Sequence, residues 1–449
     1  MQTSGPCYNP LLHSAKGVTA SAWKAAVQRM RVYLDNIGCR LNWSEIERLA
    51  RQFAAAGHRV VATPLEADVI LVNTCAVTAQ AERKTRHELR SLHRENPDAQ
   101  IAVLGCFPTL RSEVSLDLPG VAWVIPNADK ARTVDLLTAE PLPPSLWREP
   151  TGEAEMLRTR AFVKVQDGCD NHCTYCIIPS LRGPSRSRPL ADIVAEVRTL
   201  VDEADCQEAV LTGASLGAYG RDLRPDVSLR TLIEALLAES GVSRLRISSL
   251  EPWDIDGTFF DLWDDPRLCR QIHLPLQAGS DATLRRMGRP ITLDEFAQLV
   301  RAARAAIPDL AITTDVLVGF PGEDEDAFRQ SYTFVERMAF AKLHVFPYSR
   351  RPGTPATRLP HQVPRDARDE RARQMRELGA EQRRRFKERF LGRNLDVLWE
   401  KQRRDGRWTG WTGNYIRVVA SKEAELCNRI TPTRLMALEN GYVRGEALE

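Results

Sequence analysis

The chain has 449 residues, 43% hydrophobic and 27% charged, which is enough for sizeable cores and for two to four domains. A net charge of +3 excludes a polycation, so any nucleic-acid surface must be a local patch. No apolar run approaches a membrane span, and ten cysteines without a secretory signal point to a reducing, cytoplasmic setting and to metal ligation rather than disulfides.

Residues 1–29 hold no Asp or Glu but carry Lys16, Lys24 and Arg29. A lack of acids suits a transit peptide, yet regular patterning begins only at Met30. The stretch therefore reads as a disordered extension or a start codon placed too early. Cys7 has no assigned role.

Across 30–144, three strand-like runs each end on a cysteine. They are Arg31–Leu34 before Gly38-Cys39, Asp68–Val72 before Asn73-Thr-Cys75, and Gln100–Leu104 before Gly105-Cys106. Helical patterns near Ser44–Ala56 and Thr78–Glu95 separate them, with Ser44 a candidate cap. Alternating strands and helices predict a parallel sheet with right-handed crossovers. The C-terminal strand ends of such a sheet share one edge, so Cys39, Cys75 and Cys106 are predicted to converge on a three-thiolate site. The alternative is three unrelated buried cysteines.

A proline-rich break and a polar stretch mark a linker over 145–157. A short strand from Phe162 to Val165 then runs into Cys169-Asp-Asn-His-Cys173-Thr-Tyr-Cys176. This C-x3-C-x2-C spacing lets three thiolates reach one metal centre. His172 is not at a ligand spacing, and Asp170 and Asn171 are turn residues. Three thiolates on a cubane of four irons leave one iron open to chelate a cofactor. A structural zinc site would instead show four ligands.

Over 158–363, strand candidates recur at Phe162–Val165, Glu208–Leu211, Arg244–Ser248, Gln271–Leu274, Ala311–Val318 and Lys342–Phe346, separated by helical patterns. Six such units predict a partial (β/α)6 barrel with its site at the C-terminal strand ends. The turns there carry Gly213, Glu251, Gln277, Gly319 and Pro347-Tyr-Ser-Arg350. Glycines admit a ligand to the backbone, while carboxylates and amides grip hydroxyl and amino groups. Ordinary turn chemistry is the plainer alternative for each one. Cys206 and Cys269 read as structural.

Residues 364–390 form a helical pattern with ten Arg or Lys against six acids, either a solvated face or an RNA-facing one. Short alternating runs over 391–449 predict a small β-barrel. Tyr415 and Arg417 are candidate RNA contacts, by stacking on a base and meeting a phosphate, and the aromatics there are otherwise core. Cys427 has no role. The fold class is thus α/β: an N-terminal parallel-sheet domain, a central partial barrel and a small C-terminal β-barrel.

The stretch Gln166–Pro179, with Arg182-Gly183 and Arg186–Pro189, resembles the methylthiotransferase branch of the radical S-adenosylmethionine enzymes. Gly38–Asn42, Asn73–Thr78 and Val103–Cys106 resemble that branch's three cluster-binding motifs, with Trp43 and Phe107-Pro-Thr109 as departures beside the ligands. Thr412–Val418 resembles the TRAM domain, a small barrel associated with tRNA-modifying enzymes. The resemblance implies two [4Fe-4S] clusters, one on Cys169, Cys173 and Cys176 and one on Cys39, Cys75 and Cys106. It implies S-adenosylmethionine, two molecules per turnover, bound near Gly213, Glu251, Gln277 and Gly319, where Gln277-Ala replaces the family's Gln-Ser. No catalytic side chain is implied beyond the clusters. The first cluster would cleave adenosylmethionine to a radical that takes hydrogen from an unactivated carbon, and the second would present the methylated sulfur.

Gly38–Asn42, Asp170–Cys176 and Phe346–Pro355 are most similar to the subgroup acting on carbon 2 of N6-threonylcarbamoyladenosine, beside the tRNA anticodon. Isopentenyladenosine in tRNA and an aspartate of a ribosomal protein are the alternative substrates. The implied partners are tRNA, a low-potential electron donor such as flavodoxin or ferredoxin, and a sulfur donor. A non-catalytic iron–sulfur protein that binds RNA or senses redox state is the alternative from another class. The survival of the cofactor turns argues against it.

Overall fold

The computed structural model describes residues 29–138, 158–422 and 424–448. Cys7, the extension through residue 28 and the linker 145–157 lie outside them. The chain divides into two compact units, Met1–Ala154 and Glu155–Glu449.

In the first unit, β1 (Arg31–Ile37), β2 (Arg59–Val60), β3 (Val69–Thr74), β4 (Gln100–Gly105) and β5 (Val121–Pro126) form one sheet, ordered β2-β1-β3-β4-β5. Every neighbouring pair is parallel. All six residues of β3 are buried, as expected of a central strand covered on both faces. The helix Arg40–Ala55 lays Ile46, Leu49 and Phe53 on the sheet, an apolar stripe at helical spacing. It begins four residues before Ser44. Cys39 occupies the N-cap, and the Ser44 hydroxyl donates to the Leu41 carbonyl at 2.7 Å inside the helix, so Ser44 is not the cap. Thr78 does cap the next helix, Ala79–Glu95, accepting from the Ala81 amide at 3.1 Å. Sequence periodicity misses β2, which is two residues long, and β5.

In the second unit, β6 (Arg160–Lys164) enters a short antiparallel ribbon, β7 (Gln166–Asp167) with β8 (Arg186–Ser187), that brackets the cysteine loop. Then follow β9 (Glu208–Thr212), β10 (Arg244–Ile247), β11 (Gln271–His273), β12 (Ala311–Val318) and β13 (Lys342–Pro347). They make two three-stranded parallel sheets, β6-β9-β10 and β11-β12-β13. Parallel bridges Leu245–Leu268 and Ser249–His273 join these sheets into the six-strand partial barrel that the sequence predicts.

The helix Arg365–Glu388 packs on β13, with Gly379 seated against Leu343. Its outer arginines pair within the helix, Arg373 with Glu370 and Glu377 at 2.6 Å each, and Arg384 with Glu381 at 2.8 Å. These exposed pairs favour the solvated-face reading. Last come β14 (Asn394–Gln402), β15 (Trp408–Thr412), β16 (Arg417–Ala420), β17 (Ile430–Glu439) and β18 (Tyr442–Ala447), a closed barrel ordered β14-β15-β16-β18-β17. Pro432 hides β17 from sequence reading, because proline argues against a strand interior.

This small barrel docks on the N-terminal ends of β6, β9 and β10, the ends remote from the cysteine loop. Arg246 donates to the carbonyls of Gly413 (3.0 Å) and Thr412 (3.3 Å), and its guanidinium lies 4.6 Å from the Tyr415 ring centre. Tyr415 stacks on Trp411 at 4.8 Å, with Arg160 5.8 Å away. The half-buried Tyr415 ring thus has core arginines beside it. Arg417 is exposed, with its Nε 3.2 Å from the Thr409 hydroxyl.

Candidate cluster and cofactor site

Strand register decides the first constellation. Ile37 pairs with Thr74, and Thr74 with Gly105, so the ends of β1, β3 and β4 lie level on adjacent strands. Cys75 and Cys106 are the next residues on β3 and β4, and Cys39 follows β1 by one residue more. Neighbouring strands are about 4.8 Å apart, which brings the three cysteines onto one edge. Gly105 turns there at φ +103, and a Cβ on it would stand 2.5 Å from Asn73 Oδ1. A Cβ on Gly38 would stand 2.5 Å from Asn42 Nδ2. Under the edge lies a polar floor that sequence reasoning does not find. Asn73 Nδ2 donates to the Asn42 carbonyl (2.9 Å) and to Glu45 (3.0 Å), and Glu45 pairs with buried Lys130 at 2.6 Å.

The second constellation is the loop after β6. Gly168 opens it at φ +73, with the Cys169 amide on the Gly183 carbonyl at 3.1 Å. The Thr174 amide donates to Met287 O and its hydroxyl to Arg286 O, both at 2.9 Å. His172 is exposed. Burial pushes the Cys169 and Cys173 thiols up, and that of Cys176 up to about 12. The thiolate form therefore depends on the charge of a bound metal centre. Among the described residues, no group of three His, Cys, Asp or Glu is close enough to hold a single metal ion. Three thiolates on three separate irons of a cubane need not converge on one point.

The four predicted cofactor residues come to the same edge, at the ends of β9, β10, β11 and β12. Gly213 approaches Gln166 so closely that a Cβ would be 2.8 Å from Oε1, while that oxygen accepts from the Ser215 amide at 2.9 Å. Gln277 is held at φ +71 by bonds on both sides, its amide to Asp315 O and its carbonyl from Leu317 N, each 2.8 Å. Gly319 turns at φ +71 and donates to Glu323 Oε1 at 2.8 Å, with Arg371 on the same oxygen at 3.0 Å. Burial lifts the Glu323 carboxyl to about 7 despite these donors.

Glu251 binds Arg289 at 2.8 Å, and sequence reasoning misses this partner. Arg289 also reaches Pro275 O (2.5 Å) and Tyr175 Oη (3.4 Å), and lies 4.6 Å from the Trp253 ring centre. Its Nε, with the hydroxyls of Ser248 and Ser280, is buried without a partner among the described residues. Three thiols, unfilled polar donors and glycine-cleared backbone fit an open iron–sulfur cluster with a polar, zwitterionic cofactor on it.

Gly168→Ala tests the loop. A Cβ there would fall 1.9 Å from Pro184 O, a backbone atom, at a φ that alanine adopts only under strain. We expect a cost of at least about 2 kcal/mol in this loop. Iron per chain should fall toward half on anaerobic reconstitution, with the fold retained by circular dichroism.

The profile of the Radical SAM superfamily matches residues 163–335, and that of an uncharacterized protein family, UPF0004, matches 31–125. The threonylcarbamoyladenosine tRNA methylthiotransferase MtaB of Bacillus subtilis is 33% identical over 432 residues, covering 92% of this chain and 96% of its own. The tRNA-2-methylthio-N(6)-dimethylallyladenosine synthase of Syntrophotalea carbinolica is also 33% identical, over 436 residues, covering 92% and 98%. Among solved structures, the radical S-adenosylmethionine methyltransferase TsrM of Kitasatospora setae aligns with a TM-score of 0.54 at 15% identity, over 73% of this chain and 74% of that one. That likeness is one of fold.

Proposed function

Because the chain belongs to the radical SAM tRNA methylthiotransferase family, we propose that it places a methylthio group on carbon 2 of N6-threonylcarbamoyladenosine beside the anticodon of tRNA. The observation that carries the methylthiotransferase reading is the pair of cysteine trios: one in the loop after β6, the other on three level strand ends of the first unit. When bound, the clusters and S-adenosylmethionine supply the reducing and radical chemistry that an unactivated carbon–hydrogen bond requires. Cys169, Cys173 and Cys176 hold the first cluster, and the Thr174 bonds to Arg286 and Met287 fix their loop. Gly213, Glu251, Gln277 and Gly319 line the cofactor, two molecules of which are used per turnover. Cys39, Cys75 and Cys106 hold the second cluster above the Asn42–Asn73–Glu45–Lys130 floor. We assign 30–144 to the second cluster, 158–363 to the radical core, 364–390 to the connecting helix and 391–449 to the RNA-binding barrel, where exposed Arg417 meets phosphate. An electron donor of the flavodoxin or ferredoxin kind and a sulfur donor complete the partners. Among the described residues, no helix is long and apolar enough to cross a membrane.

The test is nucleoside mass spectrometry of tRNA from a host lacking its own methylthiotransferases, with and without this chain. The expected product is methylthio-threonylcarbamoyladenosine, lost in Cys39→Ala and in Cys173→Ala. The dimethylallyladenosine synthase at equal identity makes the isopentenyl substrate the second reading. A methylthio-isopentenyladenosine product would keep the chemistry and move the substrate. No new nucleoside with both clusters intact would overturn the tRNA reading.

A further inference from the structure

Residues alternate faces along β11, β12 and β13. Ile272, Ile312, Val316 and Val318 are buried in the main apolar core, with Leu343 and Val345 packed against it. The opposite row runs through His273, Thr313, Asp315, His344 and Phe346. His273 Nδ1 is 2.8 Å from the Thr313 hydroxyl and its Nε2 3.3 Å from Asp315 Oδ1, and the His273 and His344 rings meet edge-on at 5.6 Å. The Asp315 side chain is 27% exposed and Phe346 is 41% exposed, a large aromatic left open to water. Among the described residues β13 pairs only with β12, so the row ends at the open side of the partial barrel. It starts at the cofactor loop, because the Asp315 carbonyl accepts from the Gln277 amide.

We propose that this row seats the modified nucleotide, with Phe346 against the purine face and His344 and Asp315 reading the group on N6. The inference rests on threonylcarbamoyladenosine being the substrate. That group carries a carboxylate and carbonyl as acceptors, and a hydroxyl and urea N–H as donors. An imidazole meets the first pair, and a carboxylate such as Asp315 accepts from the second. A dimethylallyl group offers neither, and would cover His344 and Asp315 without replacing the water it removes. The row therefore selects between the two substrates by what each leaves unsatisfied.

The experiment uses three anticodon stem-loops that differ only in the purine beside the anticodon: unmodified adenosine, dimethylallyladenosine and threonylcarbamoyladenosine. Their binding to the full-length, cluster-loaded protein is read by fluorescence anisotropy. The wild type should prefer the threonylcarbamoyl loop. His344→Leu, and the milder Asp315→Asn, should cut that preference at least about tenfold while leaving the unmodified loop bound as before. Phe346→Ala should weaken all three by about tenfold or more. If the wild type has the preference and the histidine and aspartate variants keep it, the subsite is overturned and the substrate reading stands. If the wild type shows no preference, the substrate reading falls and the subsite with it.

Discussion

Glu208→Gln should cost about 3–5 kcal/mol of stability in the second unit, because it removes a carboxylate that three buried arginines share. Among the described residues, Arg160 alone of the three keeps another acid, Glu400 at 2.8 Å. Glu208 is fully buried, and its oxygens lie 2.7 Å from Arg246, 3.1 Å from Arg244 and 3.9 Å from Arg160. Those arginine side chains are 0%, 8% and 10% exposed. Glutamine keeps the volume and loses the charge, so the guanidiniums repel one another with little water to screen them. The expected readout is a melting temperature lower by more than about 6 °C. Arg246 also holds the Thr412 and Gly413 carbonyls, so the small barrel should become easier to cut away by protease.

The same carboxylate sets a pH limit. Burial alone would raise its pKa, but Arg246, then Arg244, then Arg160 outweigh burial and hold it at about 2. The folded value lies below the unfolded one, so the contribution is complete above about pH 4.5 and is lost as pH falls toward 2. Its size is on the order of 3 kcal/mol. The wild type should thus lose stability steeply across that window, and Glu208→Gln should lack the step. An equal slope in both proteins would show that the ion cluster does not govern acid unfolding.

What the sequence discloses and what it conceals divide along one physical line. The six strands of the partial barrel are visible because apolar runs with glycine-rich ends need only local pattern. The two cysteine trios are visible for different reasons. Cys169, Cys173 and Cys176 share one loop, while Cys39, Cys75 and Cys106 each follow a parallel strand, and level strand ends do the rest. Pairings made only by the tertiary fold stay hidden. Arg289 is 114 residues from Tyr175, and nothing in Arg285-Arg-Met-Gly-Arg-Pro290 says that its last arginine turns inward. Gly288 is the one available signal, since it ends the helix Asp281–Met287 in a left-handed turn and sends the next residue back toward the cysteine loop. Tyr415 has partners in the fold that its local sequence does not name. Its aromatic–arginine company suits RNA on paper, but Arg246 and Arg160 of the core supply the arginines.

Arg289→Met should lower S-adenosylmethionine affinity by roughly 10- to 100-fold, the usual loss when a group that orients a metal site's ligands is removed. Arg289 ties together three loops: Tyr175 between two cysteines, Glu251 and Trp253 after β10, and Pro275 after β11. Methionine fills the space but donates to none of them, and Glu251 loses its cation. Arg289→Lys should fall between, because an ammonium reaches one or two acceptors but cannot span the fork or stack on Trp253 in the same way. Binding is measured by calorimetry on the reconstituted protein, with iron content checked first. A second readout separates charge from shape. Arg289 lies close enough to Cys173 to act on it electrostatically, and a cation there favours the reduced, more negative cluster. Removing it should shift the midpoint potential downward by tens of millivolts in Arg289→Met and leave it nearly unchanged in Arg289→Lys. Normal affinity and potential in Arg289→Met would reduce the residue to packing alone.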